Sequence, residues 1–253
     1  MINTIRFIKT LLNKFLRHFG LKIFKISPYN VFDFEGFLYR HIAVHKTLSF
    51  LQIGANDGIM NDPIYQFIRD NQSVVRGYVL EPLPDIYEKL VENYKFCPNI
   101  KPFNFAIHTE KSEMILYRVK SEFISKVPKF ARGIASFNYT HWKKSNLVPN
   151  KNYMEKVRVK CISLSNFIKK NKLIELDLLL IDTEGYDYEI LMSIDFKDIK
   201  PKIIRFEHGV RDSLMPIRNF KDVCGRLNSF GYQIFAESYD ATAYLLDPAD
   251  LIF

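Results

Sequence analysis

Cysteine is scarce in this chain: Cys97, Cys161 and Cys224 are the only three in 253 residues, an odd number with no paired spacing. That excludes a disulfide framework and a Cys/His zinc cluster, and it reads as reduced thiols in a cytoplasmic protein. Long apolar runs are also missing, so the N-terminal segment is too short and too charged to span a bilayer or to act as a signal peptide. Residues 1–28 contain no acid, whereas Arg6, Lys9, Lys14, Arg17, Lys22 and Lys25 fall there. Those six cations supply most of the net charge of +8. The remainder reads as close to balanced, and no nucleic-acid partner is expected. No internal repeat or low-complexity tract appears. The Gly-x-Gly-x-x-Gly pattern of dinucleotide binders is absent as well.

What is present is a core-forming composition, 47% hydrophobic, of a length that suits one α/β domain with decoration. Two regions are expected: a basic amphipathic helical arm over 1–46 and a main domain over 47–253. In the arm, Ile5, Ile8, Leu12, Phe15, Leu16 and Phe19 share one helical face, with Arg6, Lys9, Asn13, Lys14 and Arg17 largely on the other. Such a helix either lies on an anionic membrane surface through residues 1–25, at the inner membrane face, or packs on the domain or on a second subunit. Both readings stay open at this point, and with them a homo-oligomer. A second lead-in helix is expected from about Phe34 to Val44.

The main domain is organised around Thr47–Gly58. Strand formers Leu48 to Ile53 stop at Gly54, and Ala55-Asn56-Asp57-Gly58 then lead into a helix. A strand that ends in a glycine-rich turn lets a ligand approach bare backbone. A second strand, 75–80, ends at Glu81, where an acid accepts hydrogen bonds from ribose hydroxyls in nucleotide-binding α/β folds. The ligand would carry a ribose and need not carry phosphate, which suits S-adenosylmethionine. Further along, helix Pro84 to Tyr94 and a third strand, roughly Ile100 to Ala106, continue the strand–helix rhythm of a parallel sheet. The rhythm breaks over Glu113–Val119 and Lys156–Ile162, both strand-like. Between them, residues 120–155 form a polar, aromatic stretch read as covering a ligand. A short helix capped by Ser163 or Ser165 follows. Strands Leu176–Ile181 and Lys202–Phe206, helices Asp187–Ile194 and Ile217–Phe230, and two closing strands joined by Glu237–Asp240 complete the pattern. That last link is of hairpin size, so one strand is expected to run antiparallel.

Ligands of open α/β sheets sit outside the carboxyl ends of the strands. Those ends are Gly54 to Gly58, Glu81, Asn104 to Ala106, Asp182 to Gly185, and Glu207-His208. Three acids and an imidazole on neighbouring strands admit three readings. Asp182 with Glu207 and His208 would hold Mg²⁺, which takes a few oxygen ligands plus water. His208 would act as general base on a hydroxyl. Alternatively, Asp182 and Glu184 cap the next helix and His208 is a core histidine. The capping reading leaves Gly185 and Glu207-His208 without a purpose, so a functional cluster of Asp182, Glu184, Glu207 and His208 is preferred.

Gln52-Ile-Gly-Ala-Asn-Asp-Gly58, Glu81-Pro82, Asn104 with Ala106, Ser163-Leu164, Ile181-Asp-Thr-Glu-Gly-Tyr186 and Glu207-His208 together resemble FkbM-type methyltransferases, over roughly residues 47–210. The resemblance implies a class I, Rossmann-like methyltransferase fold with a seven-stranded, mostly parallel sheet and an antiparallel last strand. It implies O-methylation, in many members of sugar or natural-product hydroxyls, and the basic arm and aromatic loop turn the expected acceptor toward a hydroxyl of a sugar, glycan or lipid-linked saccharide. It also implies that Gly54, Ala55, Asn56, Asp57 and Gly58 contact the amino-acid part of S-adenosylmethionine, that Glu81 holds the ribose, and that Asn104 to Ala106 border the adenine. A sulfonium beside Asp57 and Asp182 would be electrostatically favoured. A non-catalytic binding module working through its arm and aromatic loop is the alternative from another class, and four costly polar groups at the strand ends disfavour it. A nucleic-acid methyltransferase is disfavoured by the near-neutral body and by the lack of an Asn-Pro-Pro-Tyr-type motif at the fourth strand end.

Overall fold

The computed structural model describes residues 12, 13, 15, 16, 32–128, 133, 135–139, 148 and 150–247. The chain divides into two units, Met1–Phe32 and Asp33–Phe253. In the first, residues 12, 13, 15 and 16 are helical. The rest of the expected basic arm, and so its membrane or packing role, lies outside the described residues. Among those described, no helix is long and apolar enough to cross a membrane.

The second unit begins with α1 (Phe34–His45), capped by Asp33, whose side chain accepts from the Gly36 amide. Phe34, Leu38 and His41 of α1 are buried, so this helix belongs with the sheet rather than with the arm. The main sheet contains β1 (Leu48–Ile53), β2 (Val75–Leu80), β3 (Ile100–Phe103), β8 (Leu178–Ile181), β9 (Ile203–Glu207), β10 (Gln233–Ala236) and β11 (Asp240–Tyr244). Their order is β10-β11-β9-β8-β1-β2-β3. β1, β2, β3, β8 and β9 pair in parallel, whereas β11 runs antiparallel to both β9 and β10. Seven strands with a reversed last one match the expectation from sequence. β1 and β8 are buried at every position, which is why they read as unbroken apolar runs rather than as alternations. Helices α2 (Tyr65–Asp70), α3 (Pro84–Tyr94), α4 (Leu164–Asn171), α5 (Asp187–Ser193) and α6 (Ile217–Ser229) connect the strands. Ser163 caps α4 by accepting from the Asn166 amide.

The third strand departs from the expectation. It ends at Phe103, and Ala106–Ile107 (β4) leaves the main sheet to pair with β7 (Met154–Ile162) in a second, four-stranded sheet. Its order is β4-β7-β5-β6, with β5 at Glu113–Val119 and β6 at Ala135–Ser136. Pro102 is the second-last residue of β3 and can donate no ladder bond, and Asn104 turns its amide back onto the Glu81 and Pro82 carbonyls. The chain therefore swings out at this point. One face of the small sheet packs Leu116, Val159 and Cys161 against Leu83 and Ala106. The alternating pattern of β7 records that half-burial.

Candidate active site

At the carboxyl end of β1 the backbone turns left-handed at Gly54 (φ 84°) and again at Asn56 (φ 49°). The Gly54 and Ala55 amides donate to the Leu80 carbonyl, and Asp182 donates its amide to the Ile53 carbonyl, so three strand ends are knitted together. A Cβ at position 54 would stand 1.8 Å from the Asp182 carbonyl oxygen, so only glycine fits. The loop is a close approach of backbone to backbone, open to one side.

That side is a cleft lined by Gly54, Ala55, Asn56, Glu81, Ala106 and Asp182, together with further residues from both sheets. Glu81 is buried, and its two carboxylate oxygens accept from the Asn56 and Leu83 amides at 3.1 and 2.8 Å. Burial pushes its pKa up to about 7, against those two hydrogen bonds. Leu83, Ile86, Phe105, Ile107, Leu116 and Phe137 form an apolar lobe beside it. The small sheet thus walls the cleft, and β6 straps its edge. A Cβ at Gly133 would meet the Asn56 side chain at 2.2 Å, and the Ser136 hydroxyl donates to the Glu184 carbonyl at 2.7 Å. Of the 120–155 stretch expected to cover a ligand, Gly133, Ala135 and Phe137 line the cleft, and residues 129–132, 134, 140–147 and 149 lie outside the described residues.

Three residues assigned to the ligand by sequence do structural work. The Asp57 carboxylate accepts from the Ile59 and Met60 amides and so closes the turn. Gly58 (φ 78°) gives the room that Tyr94 and Leu90 occupy. Asn104 pins the Glu81-Pro82 loop and lies outside the cleft lining.

At the ends of β8 and β9, Asp182, Glu184 and Glu207 each bring a carboxylate oxygen within 4.8 Å of the others. Glu184 stands in a left-handed conformation (φ 53°) followed by Gly185 (φ 106°), a turn that aims its carboxylate back at the strand ends. Asp182 is open to the cleft mouth yet walled by protein elsewhere. Burial first, and then the neighbouring carboxylates, raise its pKa. Glu184 is pushed up to about 7 by burial and by Asp187. Glu207 is raised most by burial and then by Asp182 and Glu184, and its Oε2 has no hydrogen-bond partner. Like charges this close cannot all ionise, and a proton or a cation relieves them. Helix capping does not account for the cluster. The N-cap residue of α5, Tyr186, makes no side-chain cap, and it is Asp187 that accepts from the Thr183 amide and hydroxyl.

His208 corrects the sequence reading. Its Nδ1 accepts from the Val210 amide at 3.2 Å and its Nε2 faces the Glu237 carbonyl at 3.2 Å, which makes Nε2 the protonated nitrogen of a neutral ring. The ring is 5% exposed, packs on Phe220 and lies outside the cleft lining. Burial lowers its pKa. With both nitrogens committed to backbone, His208 is a core histidine and not the base.

Sequence reading missed polar residues that line the cleft, among them Gln52, Asp62 and Arg205. Gln52, buried in β1, donates to Asp62 at 2.9 Å, while its Oε1 has no partner. Asp62 is pushed up to about 6 by burial. Arg205 of β9 donates to Glu237, Thr242 and Asp240, each at 2.8 Å, and its guanidinium lies over the Phe34 ring. The available signal was a long polar side chain inside a mostly apolar strand, at 52 and again at 205.

A family model described as a methyltransferase FkbM domain matches residues 52–234. Among solved structures, a putative O-methyltransferase from Klebsiella pneumoniae is 10% identical, with 95% of this chain and 90% of that one covered and a TM-score of 0.46. An O-methyltransferase from Bacillus cereus in complex with SAH is 11% identical, over 96% and 100% of the chains, at a TM-score of 0.42. SAH-bound PaMTH1 of Podospora anserina is 11% identical, over 84% and 78%, at 0.45. No curated protein matches the chain. The family match carries the assignment, since likenesses this distant carry none. A glycine turn that tolerates no side chain, a buried acid at the end of β2 and an acidic cluster at the end of β8 stand within those matched residues, and the chain belongs to the FkbM family of S-adenosylmethionine-dependent methyltransferases.

Proposed function

We propose that the enzyme methylates a hydroxyl group of a saccharide, free or lipid-linked, and that Glu184 accepts the hydroxyl proton. The observation that carries this reading is the carboxylate cluster at the rim of the cofactor cleft. A carboxyl group with a pKa of about 7 sits near working pH, where a general base is most effective. Burial, and then the like charge of Asp187, hold Glu184 at that value.

The cleft fits S-adenosylmethionine on its own features. The Glu81 oxygens each retain acceptor capacity toward ribose hydroxyls beyond the one amide they take. The apolar lobe from Leu83 to Phe137 suits a purine ring, and Gly54, Ala55 and Asn56 offer bare backbone to an amino-acid moiety. The unpartnered Gln52 Oε1 and the Asp62 carboxylate are acceptors for an ammonium group. When bound, the cofactor supplies a methyl group on a positively charged sulfur, so no acid is needed to activate the leaving group. The protein's remaining task is to hold the acceptor oxygen in line and to remove its proton, and such positioning supplies most of the rate. Ser136 fixes the Glu184 backbone and so the direction of that carboxylate.

A second reading places a divalent cation such as Mg²⁺ on Asp182, Glu184 and Glu207, and the unpartnered Glu207 Oε2 favours it. Calorimetric titration with S-adenosylmethionine and S-adenosylhomocysteine tests the cofactor, and absence of heat with both overturns it. Release of S-adenosylhomocysteine is then followed over a panel of neutral and anionic saccharides. Turnover that persists in EDTA supports Glu184 as the base. Turnover lost in EDTA and restored by Mg²⁺ supports the cation. No turnover with any hydroxylated acceptor refutes O-methylation.

A further inference from the structure

The near-neutrality of the main domain is a cancellation. Residues 111–160 hold twelve Lys or Arg and three acids, a net +9, larger than the net charge of +8 of the whole chain. The rest of the chain beyond residue 28 is correspondingly acidic. Strands β5, β6 and β7 of the small sheet fall within this positive segment, and on β7 the charge is ordered. β7 alternates, with Val157, Val159 and Cys161 turned toward the cofactor side and Lys156, Arg158 and Lys160 exposed on the opposite face.

The register of β5 completes that face. Glu113, Ile115 and Tyr117 oppose Lys160, Arg158 and Lys156, and paired residues of antiparallel strands point to the same side. Lys156 lies over the Tyr117 ring at 5.8 Å, and Tyr139 packs on Tyr117 at 5.1 Å. The only acid among these, Glu113, meets Arg158 at 3.2 Å with both side chains more than half exposed, a pair of small energetic value. The three cations recur every second residue, about 7 Å apart along the strand. The face also leads to the chemistry. Tyr117 pairs with Ser136, and the Ser136 hydroxyl donates to the backbone of Glu184. A track of cations and an aromatic ring therefore ends at the loop that carries the proposed base.

We propose that the face formed by Glu113–Tyr117 and Lys156–Lys160 binds an anionic saccharide chain, holding the non-reacting part of the acceptor while its terminal hydroxyl enters the cleft beside Glu184. This rests on the saccharide reading above and narrows it to acidic chains. Three cations at strand spacing match carboxylates or phosphates repeated along a linear chain. Remote binding of this kind positions the reacting hydroxyl.

The test uses the full chain with polygalacturonate oligomers as the anionic probe, neutral dextran of equal length, a 20-nucleotide single-stranded RNA and phosphatidylglycerol vesicles. The expected result is binding to polygalacturonate and not to dextran, with an affinity that falls steeply as salt rises. Lys156→Glu/Arg158→Glu/Lys160→Glu should weaken binding at least tenfold and flatten the slope of log Kd against log salt by about two to three. Unchanged S-adenosylmethionine binding and an unchanged thermal midpoint in that variant show that the fold and cofactor site persist. Equal binding of dextran, or an unchanged salt slope in the variant, overturns the proposal. Tighter binding to RNA or to vesicles overturns the occupant. Failure of the saccharide reading itself shows differently, as no S-adenosylhomocysteine release from any saccharide by the unaltered chain.

Discussion

One strand, Leu178–Ile181, has an aspartate at each end, and the two are treated in opposite ways. Asp177, at the entrance, is surrounded by donors. Its carboxylate accepts from the Ser49 amide and hydroxyl at 2.8 Å, with His41 at 3.4 Å and Lys202 at 3.3 Å. Although burial opposes ionisation there, these partners outweigh it and hold the group well below the usual carboxylate range. Asp182, at the exit, faces Glu184 and Glu207, and its pKa is raised. The first end is satisfied and holds strands to helix. The second is frustrated, and frustration of that kind persists where a ligand or a reaction uses it.

The sharpest way to break this comparison is to exchange damage between the ends. Glu184→Gln keeps the shape of the rim and removes the base, so turnover should fall by about 10²- to 10⁴-fold while cofactor binding by calorimetry stays within a few-fold. The same change relieves charge repulsion, so the thermal midpoint should hold or rise. Asp177→Ala should do the reverse, costing about 3 kcal/mol in urea unfolding because it removes the acceptor of the Ser49 amide and hydroxyl and the partner of Lys202, with kcat per folded molecule unchanged. Loss of stability in the first variant, or loss of kcat in the second, would erase the distinction.

A smaller effect lies in the pH dependence of stability. Asp177 has a folded pKa below its unfolded value of about 3.9, so its contribution is complete above that pH and is lost as pH falls through the acid range. Glu184 has a folded pKa of about 7, above its unfolded value. The native state therefore holds the extra proton, and stability contributed by that proton declines as pH rises from about 4.5 to 7. Urea midpoints across pH should show both limbs. Asp177→Ala should flatten the acid limb, and Glu184→Gln the neutral one. A wild-type profile that climbs steadily from pH 4.5 to 7 would contradict the frustrated end.

Much of the fold was legible because its signals are local. Apolar runs bounded by Gly54, Glu81 and Asp182 mark buried parallel strands, and the three-residue link before β11 marks the reversed strand. Strand-end logic likewise found Gly54, Glu81 and the carboxylate cluster. What escaped depends on partners distant in sequence. Nothing near Asn104 announces that its amide goes to residues 81 and 82, which sends β4 into a second sheet. Summed charge hid the basic face of β7, since a total cannot show that positive and negative residues are segregated. The Gln52–Asp62 pair was missed because a single glutamine in an apolar strand has no periodic signature.

His208 is the instructive misreading, and it yields the smallest prediction. An imidazole one residue past an acidic strand end has the composition of a catalytic pair, yet the turn after β9 uses it as backbone. Nδ1 takes the Val210 amide and Nε2 meets the Glu237 carbonyl, 29 residues away in sequence. His208→Ala should leave those two groups without protein partners and remove packing on Phe220, costing about 1–2 kcal/mol in urea unfolding. The decisive readout is kinetic. If Glu184 is the base, the rate rises through a pKa near 7 in the wild type and does so again in His208→Ala, with kcat within about threefold. If the inflection vanishes with the imidazole, the ring exchanges its backbone contacts for substrate during turnover, and the distinction between a structural and a chemical end of the sheet must be redrawn around residue 208.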